Sequence, residues 1–183
     1  MTNTAILSIT SLSALFLLLT ISAKAQKRSI SITSKVLVKA SVEEAYDLLR
    51  QFERFPEWSP FLVADPEQKH HVSGENGAIG SAFHWEGVGE KSVGFQTLSE
   101  LEENQYLRMN CNISVPFKSE PVFEYRLRRT AEGVEITQEF SLQPSAFSYF
   151  MMRIFKVEAQ MRATNELGLE RLKNLLEGVP NPA

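Results

Sequence analysis

The sequence predicts an α+β fold in which a curved antiparallel sheet of about seven strands wraps around one long C-terminal helix, with two short helices after the first strand. Three observations support this prediction. Apolar residues recur at helical spacing from Ser145 to Glu177. Segments with strand character follow one another between residues 63 and 142, separated by turn signals. A first strand and a well-marked helix start come before them. We therefore expect one domain over residues 29–178, with a tail at 179–183.

Composition narrows the class of protein. The chain has 183 residues, is 43% hydrophobic and carries a formal net charge of −3, so one domain with a sizeable core is expected. Interleaved acidic and basic residues argue against nucleic acid as a partner. The single cysteine, Cys111, excludes an internal disulfide and a cysteine-based zinc site. We interpret it as a small core residue of a strand.

Residues 1–26 form a hydrophobic segment outside the fold, and two interpretations of it are open. The stretch from Ala5 to Ser22 is uncharged and long enough to cross a bilayer. As a membrane anchor, followed by Lys27 and Arg28, it would keep the domain cytoplasmic. As a signal peptide it would be cleaved near Ala25, which gives a secreted or periplasmic protein, although no basic residue precedes the apolar core. We favour the anchor.

The first elements are marked by alternation and by a capping signal. Apolar and polar residues alternate from Ile30 to Val38, which predicts a strand. Ser41 with Glu44 three residues later forms a capping box, and an apolar stripe follows, so a helix begins there.

A proline-rich segment follows this helix. Two prolines between Phe55 and Phe61 allow at most one helical turn. Its aromatic residues Phe55, Trp58 and Phe61 are interpreted as a plug at one end of the core, or as part of a ligand gate. The two interpretations are compatible.

Turn signals rich in Gly, Asn and Glu divide the middle of the chain into a meander of antiparallel strands. The strongest alternation, typical of half-buried strands, lies around Phe123 and Ile136. The predicted strands are Val63–Ser73, Gly80–Glu86, Ser92–Glu102, Tyr106–Val115, Pro121–Thr130 and Val134–Leu142.

The C-terminal helix is predicted to begin after the cap residue Ser145 and to end before Gly178. At 1.5 Å per residue, it would be roughly 45–50 Å long. Glu158, Asn165 and Gly168 interrupt its apolar face. A carboxylate, an amide and a missing side chain on such a face are expected where a helix covers a cavity.

Four stretches carry a resemblance to a known family: residues 38–46, residues 80–87, residues 168–173 and the segment Phe55-Pro56-Glu57-Trp58-Ser59-Pro60 with its Trp-Ser-Pro motif. Through them the chain resembles the polyketide cyclase/dehydrase branch of the START-like (SRPBCC) superfamily. The resemblance implies a helix-grip fold with a deep cavity for lipids, polyketides, sterols, quinones or hormones. Some members carry an N-terminal apolar anchor, and many bind without catalysis.

Nothing in the sequence matches a nucleophile, phosphate-binding or metal motif, so no metal and no cofactor are predicted. His70 and His71 are adjacent and would point to opposite faces of a strand, which prevents chelation of one ion. If the protein is an enzyme, its candidate proton-transfer residues are Glu158, Asn165 and His84. The alternative for Glu158 is a border position on the helix, paired with Arg162.

Three functions are therefore compared. The preferred one is non-catalytic binding or transport of a hydrophobic small molecule or lipid at a membrane. The second is a cyclase- or dehydrase-like enzyme, and the third is a protein-interaction module. The residues expected to contact the ligand are mostly apolar: Trp58, Phe61, Phe83, Trp85, Phe123, Tyr125, Met151, Ile154, Phe155, Glu158, Met161 and Asn165.

Overall fold

Seven antiparallel strands form a single sheet in the computed structural model, which describes residues 28–181. The strands lie in the order β1-β7-β6-β5-β4-β3-β2. From β2 to β7 each strand pairs with the next strand in the chain, and β7 also pairs with β1. Ile30 stands opposite Leu142, and Val38 opposite Val134. The strands are β1 Ile30–Val38, β2 Lys69–Ser73, β3 Ala82–Glu86, β4 Val93–Glu102, β5 Tyr106–Val115, β6 Val122–Thr130 and β7 Gly133–Leu142.

The helices lie on the concave face of this sheet and at one end of it, which confirms the predicted helix-grip fold class. The α5 helix spans 20 residues, which corresponds to about 30 Å. A 3₁₀ turn at Phe52–Arg54 joins the first two helices. The helices are α1 Val42–Arg50, α2 Phe55–Trp58, α3 Pro60–Ala64, α4 Ala146–Ile154 and α5 Val157–Leu176.

The predicted capping box at the start of α1 is confirmed. The backbone N–H of Glu44 donates to Ser41 Oγ at 3.1 Å, and the N–H of Ser41 donates to Glu44 Oε2 at 2.9 Å. These two bonds pair amide groups that the first helical turn leaves free. The helix then buries Ala45, Leu48 and Leu49 against the sheet.

The prediction of one continuous C-terminal helix is wrong, because the chain breaks between α4 and α5. Lys156 adopts a left-handed backbone conformation, with φ 52°, between the two helices. The N–H of Phe155 donates to Met151 O at 3.0 Å, and Gln160 Nε2 donates to Phe155 O at 3.2 Å. Neither glycine nor proline marks this break, so composition does not reveal it.

The strand predicted at Val63–Ser73 is also wrong in its first half. Pro60 occupies the first turn of α3, where its fixed φ suits a helix, and the helix continues to Ala64. A turn follows, in which the N–H of Gln68 donates to Asp65 O at 3.1 Å. Strand β2 then begins at Lys69. The remaining predicted strands agree with the structure to within two residues at each end.

The core lies between the concave face of the sheet and the second half of α5. Leu169 and Leu172 of α5 are buried there, together with Ile32 and Ile136 of the sheet. Gly168 belongs to this contact, because a Cβ atom at that position would lie 3.2 Å from Pro60 Cδ. The predicted link between Gly168 and a cavity is therefore wrong: the glycine lets α5 pack closely on α3.

Candidate functional site

An enclosed cavity of about 200 Å³ lies between the concave face of the sheet, the short helices and the first turns of α5. Its walls are mainly apolar, and they come from six strands and from both sides of the helix break. The lining residues are Ile30, Phe55, Phe61, Gln68, Phe83, Trp85, Ser92, Gln96, Cys111, Ile113, Ser119, Pro121, Phe123, Phe140, Leu142, Met152, Val157, Glu158 and Met161.

Aromatic contacts hold one wall of this cavity. Phe55 packs edge-on against Phe83, with ring centroids 5.0 Å apart, and against Trp58 at 4.8 Å. On the other side, Phe123 and Phe140 form a similar pair at 5.2 Å. Such edge-to-face pairs fix the positions of the rings. The segment from Phe55 to Phe61 thus closes one end of the core, and its residues Phe55 and Phe61 line the cavity. This geometry is compatible with a core plug and with a ligand gate.

Trp85 is held against the sheet by a hydrogen bond and by a glycine opposite it. Its Nε1–H donates to Ser92 Oγ at 3.0 Å. Gly94 faces Trp85 on β4, and a Cβ atom there would lie 2.7 Å from Trp85 Cζ2. The glycine therefore leaves room for the indole ring to lie along β4 as part of the cavity wall.

Two polar side chains meet on the sheet side of the cavity. Gln96 and Cys111 are neighbours across β4 and β5, and each is 6% exposed. The thiol of Cys111 donates to Gln96 Oε1 at 3.8 Å. Burial raises the pKa of Cys111 to about 12, so the thiol stays protonated at neutral pH. Gln96 Nε2 has no hydrogen-bond partner among the described residues.

A more open groove of about 390 Å³ adjoins the cavity on the α4 side. The groove and the cavity share Ile30, Met152 and Glu158. The groove is lined largely by charged and small residues, whereas the cavity is enclosed and apolar. We therefore take the inner cavity as the candidate ligand site. The other groove residues are Tyr149, Arg153, Lys156, Ala159, Arg162, Ala163 and Glu166.

The structure brings together half of the residues expected at the ligand. Those that line the cavity are Phe61, Phe83, Trp85, Phe123, Glu158 and Met161. Trp58, Tyr125 and Asn165 are instead buried in the core behind the cavity walls. The hydroxyl of Tyr125, whose pKa is raised by burial, accepts a hydrogen bond from Gln138 Nε2 at 2.8 Å.

The remaining expected ligand residues lie outside the cavity because of the helix break. Met151 is half-buried, and Ile154 and Phe155 are exposed. A continuous helix would have turned these side chains toward the sheet. Met152 before the break and Val157 after it line the cavity instead.

The three candidate catalytic residues are not assembled into one site. Glu158 lies at the mouth of the cavity, with Arg162 Nη2 4.0 Å from its Oε1, as the border interpretation predicts. Asn165 is buried and lines neither the cavity nor the groove. His84 lies on the convex face of the sheet, opposite to the cavity. Its ring stacks on His71 at 4.5 Å, and its Nε2 lies 2.8 Å from Ser73 Oγ.

The histidine geometry follows the predicted alternation. His70 stacks on Phe83, on the cavity side of the sheet, while His71 and His84 lie on the other side. Burial, and then the charge of His71, lower the pKa of His84. Within residues 28–181 there is no cluster of three or more His, Cys, Asp or Glu that could hold a metal ion.

The membrane predictions concern a part of the chain outside the described residues. The hydrophobic stretch 5–22 precedes residue 28, where the description begins. Among the described helices, none combines the length and apolar character needed to cross a bilayer.

Sequence analysis missed several cavity residues, Gln96 above all. The strands carrying them were predicted, but the inward-facing side of each strand was not. In β4 the usual signal misleads, because the apolar Phe95 faces outward at 37% exposure and the polar Gln96 faces inward.

The seven-stranded sheet, the long helix on its concave face and the enclosed cavity between them define a START-like protein of the helix-grip class. The chain belongs to the family described as polyketide cyclase / dehydrase and lipid transport, which matches residues 29–177. A comparison with curated proteins gave no match.

Solved structures support the same fold at low sequence identity. Protein CV1439 from Chromobacterium violaceum is 14% identical with a TM-score of 0.60, and the match covers 82% of this chain and 99% of that one. Protein SA2116 from Staphylococcus aureus is 13% identical with a TM-score of 0.63, covering 84% and 96%. The di-domain ARO/CYC StfQ of the steffimycin biosynthetic pathway is 11% identical with a TM-score of 0.63, covering 86% of this chain and 53% of StfQ.

Proposed function

We propose that this protein binds a hydrophobic small molecule or lipid in the inner cavity and carries it without transforming it. The observation that supports this proposal is the enclosed, mainly apolar cavity between the sheet and α5. Its volume of about 200 Å³ lies below the usual range for drug-sized ligands. It therefore suits a compact ring system, or one segment of a longer lipid that continues into the outer groove.

The positions of the candidate catalytic residues favour binding over catalysis. General acid–base catalysis needs a proton donor or acceptor within hydrogen-bond reach of the reacting atom. Glu158 alone of the three candidates lines the cavity, at its mouth, whereas His84 and Asn165 do not line it. A cyclase- or dehydrase-like reaction, the second candidate function, would depend on cavity shape and on Glu158. The family description, which names both cyclases and lipid transport, is compatible with either function.

The interaction-module hypothesis expects a cavity filled by side chains and an apolar patch elsewhere. An exposed apolar patch does occur on α4, but the space between sheet and helix is open rather than filled. This combination favours a ligand carrier.

Binding can be tested with the apolar fluorophore N-phenyl-1-naphthylamine and the chain from Gln26 onward, which contains every described strand and helix. We expect saturable fluorescence enhancement in the wild-type domain. Ser119→Phe places a ring in the cavity and should weaken binding at least tenfold. Ser114→Phe, an exposed position of β5, is the matched control and should bind normally. Equal binding by both variants, or the absence of saturable binding, would contradict the proposal.

We also propose that the protein acts at a membrane, and α4 supplies the structural argument. Phe147, Phe150 and Ile154 on this helix are 73%, 61% and 56% exposed. The basic residues Arg153 and Lys156 lie beside them. Exposed aromatic residues flanked by cations are typical of a helix that lies in the interface of an anionic bilayer.

The path of the chain agrees with this orientation. Ile30, two residues after the described chain begins, lines the same groove as Tyr149 and Met152 of α4. A membrane segment at residues 5–22 would therefore hold the domain with α4 close to the bilayer. In this arrangement the groove would open toward the membrane, from which an apolar ligand enters. We place the domain on the cytoplasmic side.

Vesicle co-sedimentation tests the role of α4. The domain from Gln26 onward should bind vesicles of phosphatidylcholine with phosphatidylglycerol better than phosphatidylcholine alone. Phe147→Ser with Phe150→Ser should weaken this binding several-fold. Ile79→Ser removes a similarly exposed apolar residue from the loop between β2 and β3, and it should have little effect. Equal loss in both variants would contradict docking through α4.

The anchor and its orientation are tested on the full-length chain in membranes of its host. An anchored protein should resist extraction by carbonate at high pH and should keep residues 1–26 in its intact mass. A cytoplasmic domain should be protected from protease added to the outside of intact cells. A soluble, shortened chain beginning near Gln26 would instead establish the signal-peptide alternative.

A further inference from the structure

We infer that the ligand carries a carbonyl or another acceptor oxygen, which accepts a hydrogen bond from Gln96 Nε2 inside the cavity. This inference rests on the proposed binding function and adds the chemical class of the ligand. It predicts selection of ketones, quinones, esters or lactones over hydrocarbons of the same shape.

The first step is the burial of an unpaired donor. Gln96 is 6% exposed, lines the cavity, and has no partner for Nε2 among the described residues. A buried N–H group without a partner is unfavourable, and buried polar groups are usually paired. A ligand oxygen within reach would supply the missing partner.

The second step concerns which end of the amide is free. Cys111 is protonated at neutral pH, because burial raises its pKa, and its Sγ–H donates to Gln96 Oε1 at 3.8 Å. This contact occupies the oxygen and leaves the nitrogen without a partner among the described residues. The site therefore offers a donor, and the matching group on a ligand is an acceptor.

The side chains next to Gln96 in the sheet offer few partners to a bound water. An internal water needs two to four polar partners. The neighbours of Gln96 across the sheet are Phe83 and Cys111, and the thiol of Cys111 already donates to the Gln96 oxygen. The indole N–H of Trp85 is likewise occupied by Ser92.

Other buried amides do not compete for this role. Gln138 Nε2 already donates to the Tyr125 hydroxyl, and Gln138 lines neither the cavity nor the groove. Asn165 Nδ2 has no partner among the described residues, yet Asn165 also lines neither space. Gln96 combines an unpaired buried donor with a position on the cavity wall.

The experiment uses two probes of nearly the same shape, 2-acetylnaphthalene and 2-isopropenylnaphthalene, which differ by a carbonyl oxygen in place of a methylene group. Their dissociation constants are measured by displacement of N-phenyl-1-naphthylamine from the chain from Gln26 onward. The ratio of alkene to ketone dissociation constants is the selectivity. We compare the wild type with Gln96→Met, which keeps the length of the side chain, and with Gln138→Met as the matched control.

We expect the selectivity for the ketone to fall about three- to tenfold in Gln96→Met, the range of one hydrogen bond, and to stay unchanged in Gln138→Met. Unchanged selectivity in Gln96→Met, with both probes bound, would overturn this inference and leave the proposed function standing. Failure of both probes to bind the wild type would overturn the proposed function and this inference with it.

An infrared measurement on the wild type keeps the inference testable if Gln96→Met does not fold. The carbonyl stretch of bound, ¹³C-labelled 2-acetylnaphthalene should shift to lower wavenumber than in hexane, because the oxygen accepts a hydrogen bond. A stretch at its hexane position would contradict a contact with Gln96.

Discussion

Glu158 is the one candidate catalytic residue that lines the cavity, but its side chain is exposed to solvent like that of a surface residue. Its side chain is 62% exposed and its Oε1 lies 4.0 Å from Arg162 Nη2, one turn further along α5. An exposed ion pair of this kind contributes little to stability. Its place at the mouth of the cavity suits contact with the polar end of a ligand as well as it suits proton transfer.

Glu158→Ala therefore separates a carrier from an enzyme. We expect the variant to bind N-phenyl-1-naphthylamine within about twofold of the wild type, because the apolar walls remain. In an enzyme the same change would abolish turnover of a polyketide-like substrate while leaving binding intact. Arg162→Ala, which removes the partner of Glu158, is the control. A large loss of binding in Glu158→Ala alone would contradict a cavity held together by apolar contacts.

Cys111 gives a pH dependence whose sign follows from its burial. Its folded pKa is raised to about 12, whereas an unfolded cysteine has a pKa near 8.5. The stabilisation is complete below the unfolded pKa and is lost as pH rises toward 12, because only the unfolded state releases the proton. We expect this group to remove about 1–2 kcal/mol from the free energy of unfolding by pH 10.

Urea denaturation between pH 7 and pH 10 measures this effect. Cys111→Ala should be less stable at pH 7 because it leaves a small void, but its free energy of unfolding should fall less steeply above pH 8.5. Tyr106, whose pKa is also raised to about 12 by burial and by its hydrogen bond to Glu124, contributes above pH 10 in both proteins. Identical slopes below pH 10 in the two proteins would show that Cys111 ionises normally in the folded state.

At the scale of single residues, the sequence shows which elements carry aromatic residues, but it does not show which side chains of a strand point inward. The aromatic residues Phe61, Phe83 and Phe123, which were expected to contact the ligand, line the cavity. Gln96 was missed because a strand of period two has two possible inner faces, and hydrophobicity alone would choose the face of Phe95. Pairing with the neighbouring strand β3 decides which face of β4 points inward. His84 stands opposite Phe95, and both lie on the outer face.

At the scale of elements, α4 is less buried than α5. Every residue of α4 is at least partly exposed, whereas α5 buries Asn165, Gly168, Leu169 and Leu172. Regions with few buried contacts open at low free-energy cost. Because Met152 of α4 lines the cavity, opening of α4 would give the proposed ligand a route of entry.

Hydrogen–deuterium exchange tests this difference. Amides of α4 should exchange much faster than those of residues 165–176 in the empty domain, and N-phenyl-1-naphthylamine should slow them through its contact with Met152. Strand β7, buried along alternate residues, serves as the internal reference. Protection of α4 equal to that of α5 in the empty domain would contradict the expected easy opening of α4.

The elements show where local signals suffice and where they do not. The start of α1 was predicted because Ser41 and Glu44 form the cap through bonds within four residues. The break at Lys156 was not, because neither glycine nor proline stands there and a lysine seldom adopts a left-handed backbone conformation. The first half of the predicted strand at Val63–Ser73 became the end of α3 and a turn, because Pro60 starts α3 and α5 packs on it.

The sheet is built from pairings between strands that are neighbours in the chain, together with one pairing between the first and the last strand. From β2 to β7 each strand pairs with the next, so turn signals alone predict the order of that part of the sheet. Pairing of β1 with β7 places β1 at the edge of the sheet in contact with α5, and Ile30 lines the same groove as Tyr149 and Met152 of α4. The fold class could be predicted for this reason. A cavity was expected as well, but its volume and its full lining could not be predicted, because they depend on how side chains pack between two surfaces.

The binding of an apolar molecule between the sheet and α5 is most directly tested by native mass spectrometry of the domain from Gln26 onward, purified from its own host and followed by organic extraction. We predict a bound apolar compound that carries an acceptor oxygen, seen as a mass above that of the chain and recovered in the extract. An empty protein that shows no mass shift after exposure to a lipid extract of the host would contradict the account.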